Sequence, residues 1–418
     1  MPDLLDALRT HVDRNVLTQM LQRLVRIPSV TGAEDAAQEE MIRLLRDLGG
    51  DVDAWRPDVA ALLKHPRFPA GKVLDPRLNA VAQFRGTGEG PTLVLNGHID
   101  TVTPGDERRW SHPPYDARVV DGRLYGRGAA DMKGGLVAIL GALRAIREAG
   151  LRLKGSVCVH SVIGEEDSGL GTFAALHRGH RGDAAIVCEP TRLAVAPAQA
   201  GVSVFRITVE GRAAHASVRA EGVSAFERFG PIYDGLLALE TRRNRTLRHP
   251  LFEKQALPWA LNVGTVQAGS WPAIVPEQLV AEGRIGVAIG ESIEAARREM
   301  ETVVRETAAR DEWLAVHPPT VEWVGLTCRP AETPREHPIV RELASAVEAV
   351  TGRPPELTGA PYGSDLRLFT NDFGMPGVLF GPGDIRVAHF TDEFVPLAEV
   401  EAAALALALT TVRVCGMA

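Results

Sequence analysis

The sequence predicts an α/β protein in which a mainly parallel sheet, covered by helices on both faces, is interrupted by a smaller α+β insert. Up to Glu189, strand-like apolar runs alternate with helix-like segments, which is typical of βαβ units. The pattern changes after this residue, and the alternation of strands and helices resumes near residue 328. Because 418 residues are too many for one ordinary core, we expect two domains, one of residues 1–201 and 328–418 and an inserted one of residues 202–327.

Three apolar runs in the first half are typical of buried strands, and they cover residues 93–97, 156–163 and 184–188. Each run is followed closely by imidazole or acidic groups, which are His98 and Asp100, Glu165 and Glu166, and Glu189. Ligands of open α/β sheets bind at the carboxyl ends of the strands, so we expect these groups to meet there. Water-exposed acidic loop residues would explain any one of the positions, but not the recurrence.

A glycine-rich turn at residues 125–135 precedes an amphipathic helix expected at residues 136–149. Such turns also bind phosphates, but neither the dinucleotide nor the nucleotide fingerprint is present here. Asp131 stands where the third glycine of the dinucleotide motif belongs. An acidic residue at this point would repel a pyrophosphate and suits a cation.

The remaining pattern indicates the insert and the return to the first domain. In the insert, strands are expected at residues 202–209, 261–266, 279–287 and 321–323, and helices at residues 224–243 and 292–309. The first rhythm then returns with a helix at residues 339–350 and a strand at residues 377–380. Residues 50–78 are expected to form a connecting loop, with a functional lid as the alternative, because regular patterning is broken there by Trp55, Pro57, Pro66, Pro69 and Pro76.

Imidazole and carboxylate groups form an ordered series that suits a pair of zinc-like ions sharing one carboxylate, and the series is His98, Asp131, Glu166, Glu189 and His389. Taken alone, any one of them would usually be a surface or hydrogen-bonded core residue. In the doublet Glu165-Glu166 one side chain can bind metal while its neighbour takes a proton from water, which indicates hydrolysis. Asp100 lies on the same side of the strand as His98 and can hold its second ring nitrogen; a strand-end salt bridge is the alternative.

Composition excludes several other classes of protein. The chain is 45% hydrophobic and 24% charged, an ordinary mixture, and its formal charge of −7 opposes non-specific nucleic-acid binding. The four cysteines lack C-x-x-C spacing, so we expect a reducing compartment. There is no basic start followed by an apolar stretch and no apolar run of membrane length, and the cytoplasm is the expected location.

The motifs at residues 96–102, 126–135, 164–169 and 381–393 together resemble those of the two-zinc amidohydrolase and metallopeptidase family. Its members include acetylornithine deacetylase, succinyl-diaminopimelate desuccinylase, aminoacylase and glutamate carboxypeptidase, and the first two form the most similar branch. The resemblance spans nearly the whole chain. It implies two bound Zn²⁺ ions, for which Co²⁺ or Mn²⁺ are possible substitutes.

The resemblance also implies a role for each matching residue. Asp131 would bridge the two ions, with a cis peptide bond after it. His98 and Glu189 would complete one zinc site, and Glu166 and His389 the other. Glu165 would be the general base, with Asp100 as a further catalytic residue.

In the insert, the motif at residues 211–217 resembles the family's histidine motif. This implies a homodimer formed through residues 202–327, with His215 reaching the partner's site to hold the oxyanion; an exposed strand-end histidine is the alternative. Asn262 and Arg284 match positions that contact substrate, and Arg284 would bind a carboxylate, although strand-to-strand hydrogen bonds would also explain both. Ser364 is expected to contact substrate as well. Tyr362 departs from the usual small-residue turn and changes the expected pocket.

The sequence therefore predicts a cytoplasmic, homodimeric two-zinc hydrolase of an N-acyl amino acid or a related small amide. A dipeptidase or carboxypeptidase would use the same catalytic groups. A metal-binding scaffold without turnover is an alternative of another class, but the loss of a base or ligand that such a protein should show is not visible.

Overall fold

The structure is a computed structural model that describes residues 4–68, 75 and 77–418. Its largest sheet has nine strands, which in spatial order are β1 (Asp51–Trp55), β2 (Asn79–Phe84), β6 (Ser156–Val162), β3 (Thr92–His98), β7 (Ala184–Val187), β15 (Gly377–Leu379), β8 (Val195–Gln199) and β13 (Ala331–Glu332), with β14 (Leu357–Ala360) also paired to β8. Strands β6, β3, β7 and β15 form a parallel centre, and antiparallel pairs flank it.

Helices cover both faces of this sheet, as the sequence predicts. Within the described residues the helices are α1 (Leu4–Arg9), α2 (Arg14–Val25), α3 (Asp35–Asp47), α4 (Val59–Leu62), α5 (Gly134–Glu148), α6 (Leu170–His177), α7 (Ala225–Thr246), α8 (Ile293–Ala308), α9 (Pro338–Thr351) and α10 (Leu397–Cys415). Helices α5 and α10 pack on each other and against β3, where Leu93, Val94 and Leu95 are fully buried. Their apolar side chains belong to the main hydrophobic core.

The middle of the chain forms a second, antiparallel sheet, whose strands in spatial order are β10 (Leu261–Ala268), β11 (Gln278–Val287), β9 (Gly201–Glu210) and β12 (Thr320–Cys328). Helices α7 and α8 pack together against it and enclose a separate core around Phe205, Leu236 and Met300. The predicted elements of the insert are therefore present, and β12 is longer than expected. The domain bounds of 202–327 stay a prediction, although these strands begin at Gly201 and end at Cys328.

A small three-stranded sheet holds the last segment before α10 in place. Its order is β16 (Phe394–Pro396), β5 (Arg123–Tyr125) and β4 (Arg118–Val120), all antiparallel. Phe394 pairs with Tyr125, so the segment after His389 lies beside the glycine-rich turn that carries Asp131.

The prediction of a plain connecting loop at residues 50–78 was wrong in its first part. Residues Asp51–Trp55 form the edge strand β1, which pairs with β2, and Val59–Leu62 form a short helix that Asp58 caps. The sequence pattern did not reveal the strand and the helix, because Pro57 interrupts it between them. Pro69 and Pro76 of the expected loop lie outside the described residues.

No helix of the described residues is both long and apolar enough to cross a membrane. Cys158, Cys188, Cys328 and Cys415 are all buried and free.

Candidate active site

The site begins at the carboxyl edge of three adjacent parallel strands. His98 ends β3 and pairs in register with Val162 of β6, while Asn96 of β3 pairs with Val187 of β7. The chain leaves β6 through Gly164 to Glu165 and Glu166, and it leaves β7 to Glu189. The parallel register therefore places all three strand-end groups at one edge, as predicted.

Asp131 enters the site from an irregular turn before α5. The peptide bond between Asp131 and Met132 is cis, as the family resemblance implies. Gly135 lets α5 approach the end of β7 closely, because a Cβ atom there would lie 2.1 Å from the carbonyl oxygen of Cys188. This close approach brings the Asp131 turn next to Glu189, the residue that follows Cys188.

The predicted ligands meet in one cluster. The Nε2 atom of His98 lies 3.0 Å from Oδ1 of Asp131, and the Nε2 atom of His389 lies 3.5 Å from Oδ2 of the same carboxylate. His389 Nε2 also lies 3.0 Å from the carboxylate of Glu166. Asp131 therefore stands between the two imidazoles, with one oxygen toward each.

Two groups of three side chains in the cluster have ligand atoms within 4.8 Å of one another, namely His98 with Asp131 and Glu166, and His98 with Glu165 and Glu189. Glu165, expected to be a base, thus lies as close to His98 and Glu189 as a ligand would. Its assignment as a base rather than a ligand stays a prediction.

Asp100 holds the second ring nitrogen of His98, but through its main chain. The Nδ1 atom of His98 is 2.9 Å from the carbonyl oxygen of Asp100 and 3.6 Å from its Oδ1. The carboxylate instead accepts the main-chain N–H groups of Glu165 and Glu166, each at 3.2 Å, and the hydroxyl of Thr31 at 3.0 Å. The expected contact with His98 is therefore made by the carbonyl of Asp100 and not by its carboxylate, which binds the main chain of the glutamate doublet instead.

The cluster holds several carboxyl groups close together and away from water, which disfavours their charged form. Burial raises the pKa of Glu165 well above its usual range, and the charges of Asp365 and Glu189 add to the effect. Burial likewise raises the pKa of Glu166 and of Glu189, each helped by the charge of Asp131. Such a cluster of desolvated carboxylates is stabilised by a positive charge placed among them.

In Asp131 and His389, by contrast, the pKa shifts favour the charged form of the side chain. Burial alone would raise the pKa of Asp131, but hydrogen bonds from His389 and His98 hold it below its usual value. Hydrogen bonds to Asp131 and Glu166 raise the pKa of His389 to about 10. The pKa of His98 is raised as well, against the effect of its burial, by its hydrogen bond to Asp131 and by nearby carboxylates. Both imidazoles therefore lie where a positive charge is stabilised, and a bound cation would be stabilised there in the same way.

The donor set fits divalent metal ions. Two imidazoles and three carboxylates supply the nitrogen and oxygen ligands that zinc prefers, and Asp131 has one oxygen available on each side. His98 is 1% exposed, and its Nδ1 is bonded to a carbonyl, the arrangement that orients a metal-binding imidazole.

Sequence reasoning missed the role of Glu393. Its buried carboxylate accepts N–H groups of Gly128 at 3.0 Å, Ala130 at 2.9 Å and Asp131 at 3.1 Å, and it pairs with Arg127 at 2.6 Å. It therefore fixes the main chain that presents Asp131. Its place four residues after His389, at the end of the closing motif, was the signal available in the sequence.

The predicted site residues of the insert contact groups outside the metal-ligand cluster. His215 is exposed, and its Nδ1 is 2.8 Å from the hydroxyl of Ser217. Asn262 is exposed and pairs in register with Arg284. Arg284 donates to the carbonyl of Pro361 at 3.3 Å, and it forms no ion pair with a carboxylate of the described residues.

Ser364 and Tyr362 differ in their surroundings. Ser364 is 1% exposed, and its hydroxyl contacts the side-chain oxygen of Gln199 and the main-chain nitrogen of Leu366. Substrate contact by Ser364 therefore stays a prediction that these bonds do not favour. Tyr362 is half-buried, and burial together with the charges of Glu189 and Asp131 raises the pKa of its phenol well above the usual range.

This fold and this cluster define a metal-dependent hydrolase. The chain belongs to the peptidase family M20/M25/M40, whose model matches residues 94–412. It is similar to N-formyl-4-amino-5-aminomethyl-2-methylpyrimidine deformylase of Halalkalibacterium halodurans, with 30% identity over 95% of this chain and 94% of that protein. The deformylase of the same name from Bacillus subtilis is 28% identical over 85% of this chain and 84% of its own length. The protein is thus an amidohydrolase.

Among solved structures, a tripeptidase from Staphylococcus aureus has a similar fold, with a TM-score of 0.73 and 23% identity over 97% of this chain and 99% of that one. At this identity the likeness concerns the fold, in which a smaller sheet likewise accompanies the large one.

Proposed function

We propose that this enzyme hydrolyses the amide bond of a small N-acyl compound through two zinc ions, and that an N-formyl amide of a heteroaromatic methylamine is the substrate class to test first. The observation that carries the proposal is the placement of Asp131 between His98 and His389 with Glu165 close by. The substrate class rests on the deformylases of the same family, whose substrate is a formamide of an aminomethylpyrimidine.

In the proposed arrangement, Asp131 would be shared by both ions, His98 and Glu189 would hold one, and Glu166 and His389 the other. When bound, the ions would lower the pKa of a water molecule and polarise the acyl carbonyl. The donor geometry supports zinc, and Co²⁺ or Mn²⁺ would be possible substitutes.

Glu165 would carry the proton of the reaction. It would take a proton from the attacking water as the new C–O bond forms, and it would return that proton to the nitrogen as the C–N bond breaks. The products would be a carboxylic acid, which is formate for a formamide, and a free amine. Asp100 would keep Glu165 aimed at the water through its bonds to the main chain of the doublet.

His215 would stabilise the developing oxyanion in the partner's site of a homodimer. Two observations support a contact between subunits near this residue. On the edge strand β10, 46% of Val266 is exposed. Trp271, three residues before the β-bridge partner of His215, Ile274, is 67% exposed. Exposed apolar groups of this size favour a protein contact. We propose that the dimer forms through residues 202–327 and works in the cytoplasm.

Two other functions remain as outcomes of a test. Peptidase action on a dipeptide or C-terminal residue would use the same groups and differ in the pocket. A metal-binding scaffold is disfavoured, because Glu165 and all five expected ligands are present and close together.

The test is a substrate panel on protein stripped with a chelator and reloaded with Zn²⁺, Co²⁺ or Mn²⁺. N-formyl-4-amino-5-aminomethyl-2-methylpyrimidine, N-acetyl and N-succinyl amino acids and dipeptides would be compared by amine release. We expect metal-dependent release from the formamide or from an N-acyl amino acid. Release from dipeptides alone would replace the proposal with a peptidase, and amide binding without release would indicate a scaffold.

A further inference from the structure

A cavity of about 960 Å³ lies beside the metal-ligand cluster. Its wall includes Pro190, which directly follows Glu189, and Tyr362 and Asp384. The segment of residues 254–257 and residues 358–360 of β14 form other parts of the wall. A group bonded to an acyl carbon at the cluster could therefore extend into this cavity past Tyr362.

The main chain on both sides of Tyr362 is held in place. Arg284 reaches from the second sheet and donates to the carbonyl of Pro361 at 3.3 Å. On the other side, the carbonyl of Ser364 accepts from Gln199 at 3.1 Å, and the two side chains bond as well. The ring of Tyr362 packs against the main hydrophobic core. Its position is thus determined before any ligand binds.

The charges that line the cavity are largely paired with each other. Lys254 lies 3.1 Å from Glu356, and Asp384 lies 2.5 Å from Arg386 and 3.7 Å from Arg192. Such a wall suits a polar ring without a strong net charge better than a polyanion. Of the described residues that line this cavity, Tyr362 alone is aromatic.

We propose that Tyr362 is a specificity residue that stacks on a planar aromatic or heteroaromatic group of the departing amine. This inference rests on the proposed function and names the amine side of its substrate. Stacked aromatic pairs favour binding by on the order of 2- to 12-fold beyond simple burial. A tyrosine whose main chain is already fixed loses little side-chain freedom when it binds a flat ring.

The test compares two variants on two formamides with the zinc-loaded enzyme. Tyr362→Phe keeps the ring, and Tyr362→Leu removes it while keeping an apolar side chain. The substrates are N-formyl-4-amino-5-aminomethyl-2-methylpyrimidine and N-formylcyclohexylmethylamine, which has a ring that cannot stack. Tyr233→Leu, which changes a 41% exposed tyrosine on α7, is the matched control.

We expect Tyr362→Leu to raise KM about 2- to 12-fold for the pyrimidine and to change KM little for the cyclohexyl compound. Tyr362→Phe and Tyr233→Leu should behave like the wild type on both. Equal changes of KM on the two substrates, or a loss of kcat alone, would overturn the inference, because the phenol would then act in the chemistry or the fold.

A binding measurement separates this inference from the proposed function. Titration calorimetry with the two free amines on the zinc-loaded protein needs no turnover. If the wild type hydrolyses no formamide but binds the aromatic amine more tightly, and Tyr362→Leu removes that difference, the function fails and the inference stands. If formamides are hydrolysed but the preference is the same in Tyr362→Leu, the inference alone fails. Absence of any preference for the aromatic amine in the wild type also overturns it.

Discussion

The carboxylate of Asp100 lies 3.2 Å from the main-chain nitrogen of Glu165, which makes the end of β3 the support for the turn that follows β6. The same carboxylate receives the N–H of Glu166, so one side chain positions both members of the doublet. Because it is fully buried, water cannot replace it as an acceptor.

Asp100→Asn should therefore lower kcat by roughly 10- to 100-fold, the usual effect of losing a group that orients metal ligands. An amide offers one acceptor oxygen where the carboxylate offers two, so the turn of the doublet should lose part of its support. Steady-state kinetics and elemental analysis would measure the effect. Asp106→Asn is the control, because Asp106 also accepts a main-chain N–H but is exposed. Unchanged kcat in Asp100→Asn would show that the doublet holds its own position.

Glu165→Gln should reduce turnover by on the order of 10²- to 10⁴-fold while both metals stay bound. The amide keeps the shape of the side chain but cannot take a proton from water. Asp131→Ala should lose metal as well as activity, because both ions would share that carboxylate. Elemental analysis of the two variants decides the matter. Metal loss in Glu165→Gln would mean that Glu165 is a ligand, which its proximity to His98 and Glu189 permits.

Mixing inactive His215→Ala subunits with inactive Glu165→Ala subunits should restore activity. In a heterodimer, one of the two sites would combine an intact Glu165 with an intact His215 from the other subunit. Subunit exchange would be verified by mass spectrometry, and activity would be compared with that of each homodimer. If exchange occurs without recovery, His215 either serves its own subunit or has no part in catalysis.

Arg284→Lys should lower kcat/KM clearly for N-acyl amino acids and little for the corresponding carboxamides. Lysine keeps the charge but loses the fork that binds a carboxylate through two hydrogen bonds. Burial lowers the pKa of Arg284, and no carboxylate of the residues that the structure describes forms an ion pair with it. Arg206→Lys is the control, since Arg206 pairs with Glu282 on the same sheet. Equal losses on acids and carboxamides would show that Arg284 acts by holding Pro361.

His160 should make the free energy of unfolding fall as the pH is lowered. The residue is fully buried on β6, and burial, together with the charge of His180, lowers its pKa from 6.5 to about 3. Below pH 6.5 the unfolded chain binds a proton that the folded chain does not bind until about pH 3. The folded state should thus lose about 1.4 kcal/mol per pH unit in this window through His160.

Urea unfolding of the metal-free protein between pH 7 and pH 4.5 would measure this loss. His160→Leu should show a shallower pH dependence than the wild type, while the exposed control His317→Leu should keep the wild-type slope. Equal slopes in all three proteins would mean that the charge state of His160 does not change on unfolding.

The sequence by itself determined the strands β3, β6 and β7, the helix α5 and the order of the acidic and imidazole groups. These features could be predicted because apolar periodicity and turn glycines act over a few residues. The carboxyl ends of neighbouring parallel strands also lie at the same edge of a sheet. The cis peptide at Asp131-Met132 was also predictable, although only from the family resemblance. The edge strand β1 escaped prediction, because it is short and half-exposed and lies between two glycines and Pro57.

Only the tertiary structure decided which atoms support the site. Glu393 reaches Asp131 across 262 residues of sequence, and Arg284 reaches Pro361 across 77. The structure also turned the carboxylate of Asp100 toward the glutamate doublet and its carbonyl toward His98. No local pattern encodes such contacts, because they depend on how separate elements pack and on which buried donors still need an acceptor.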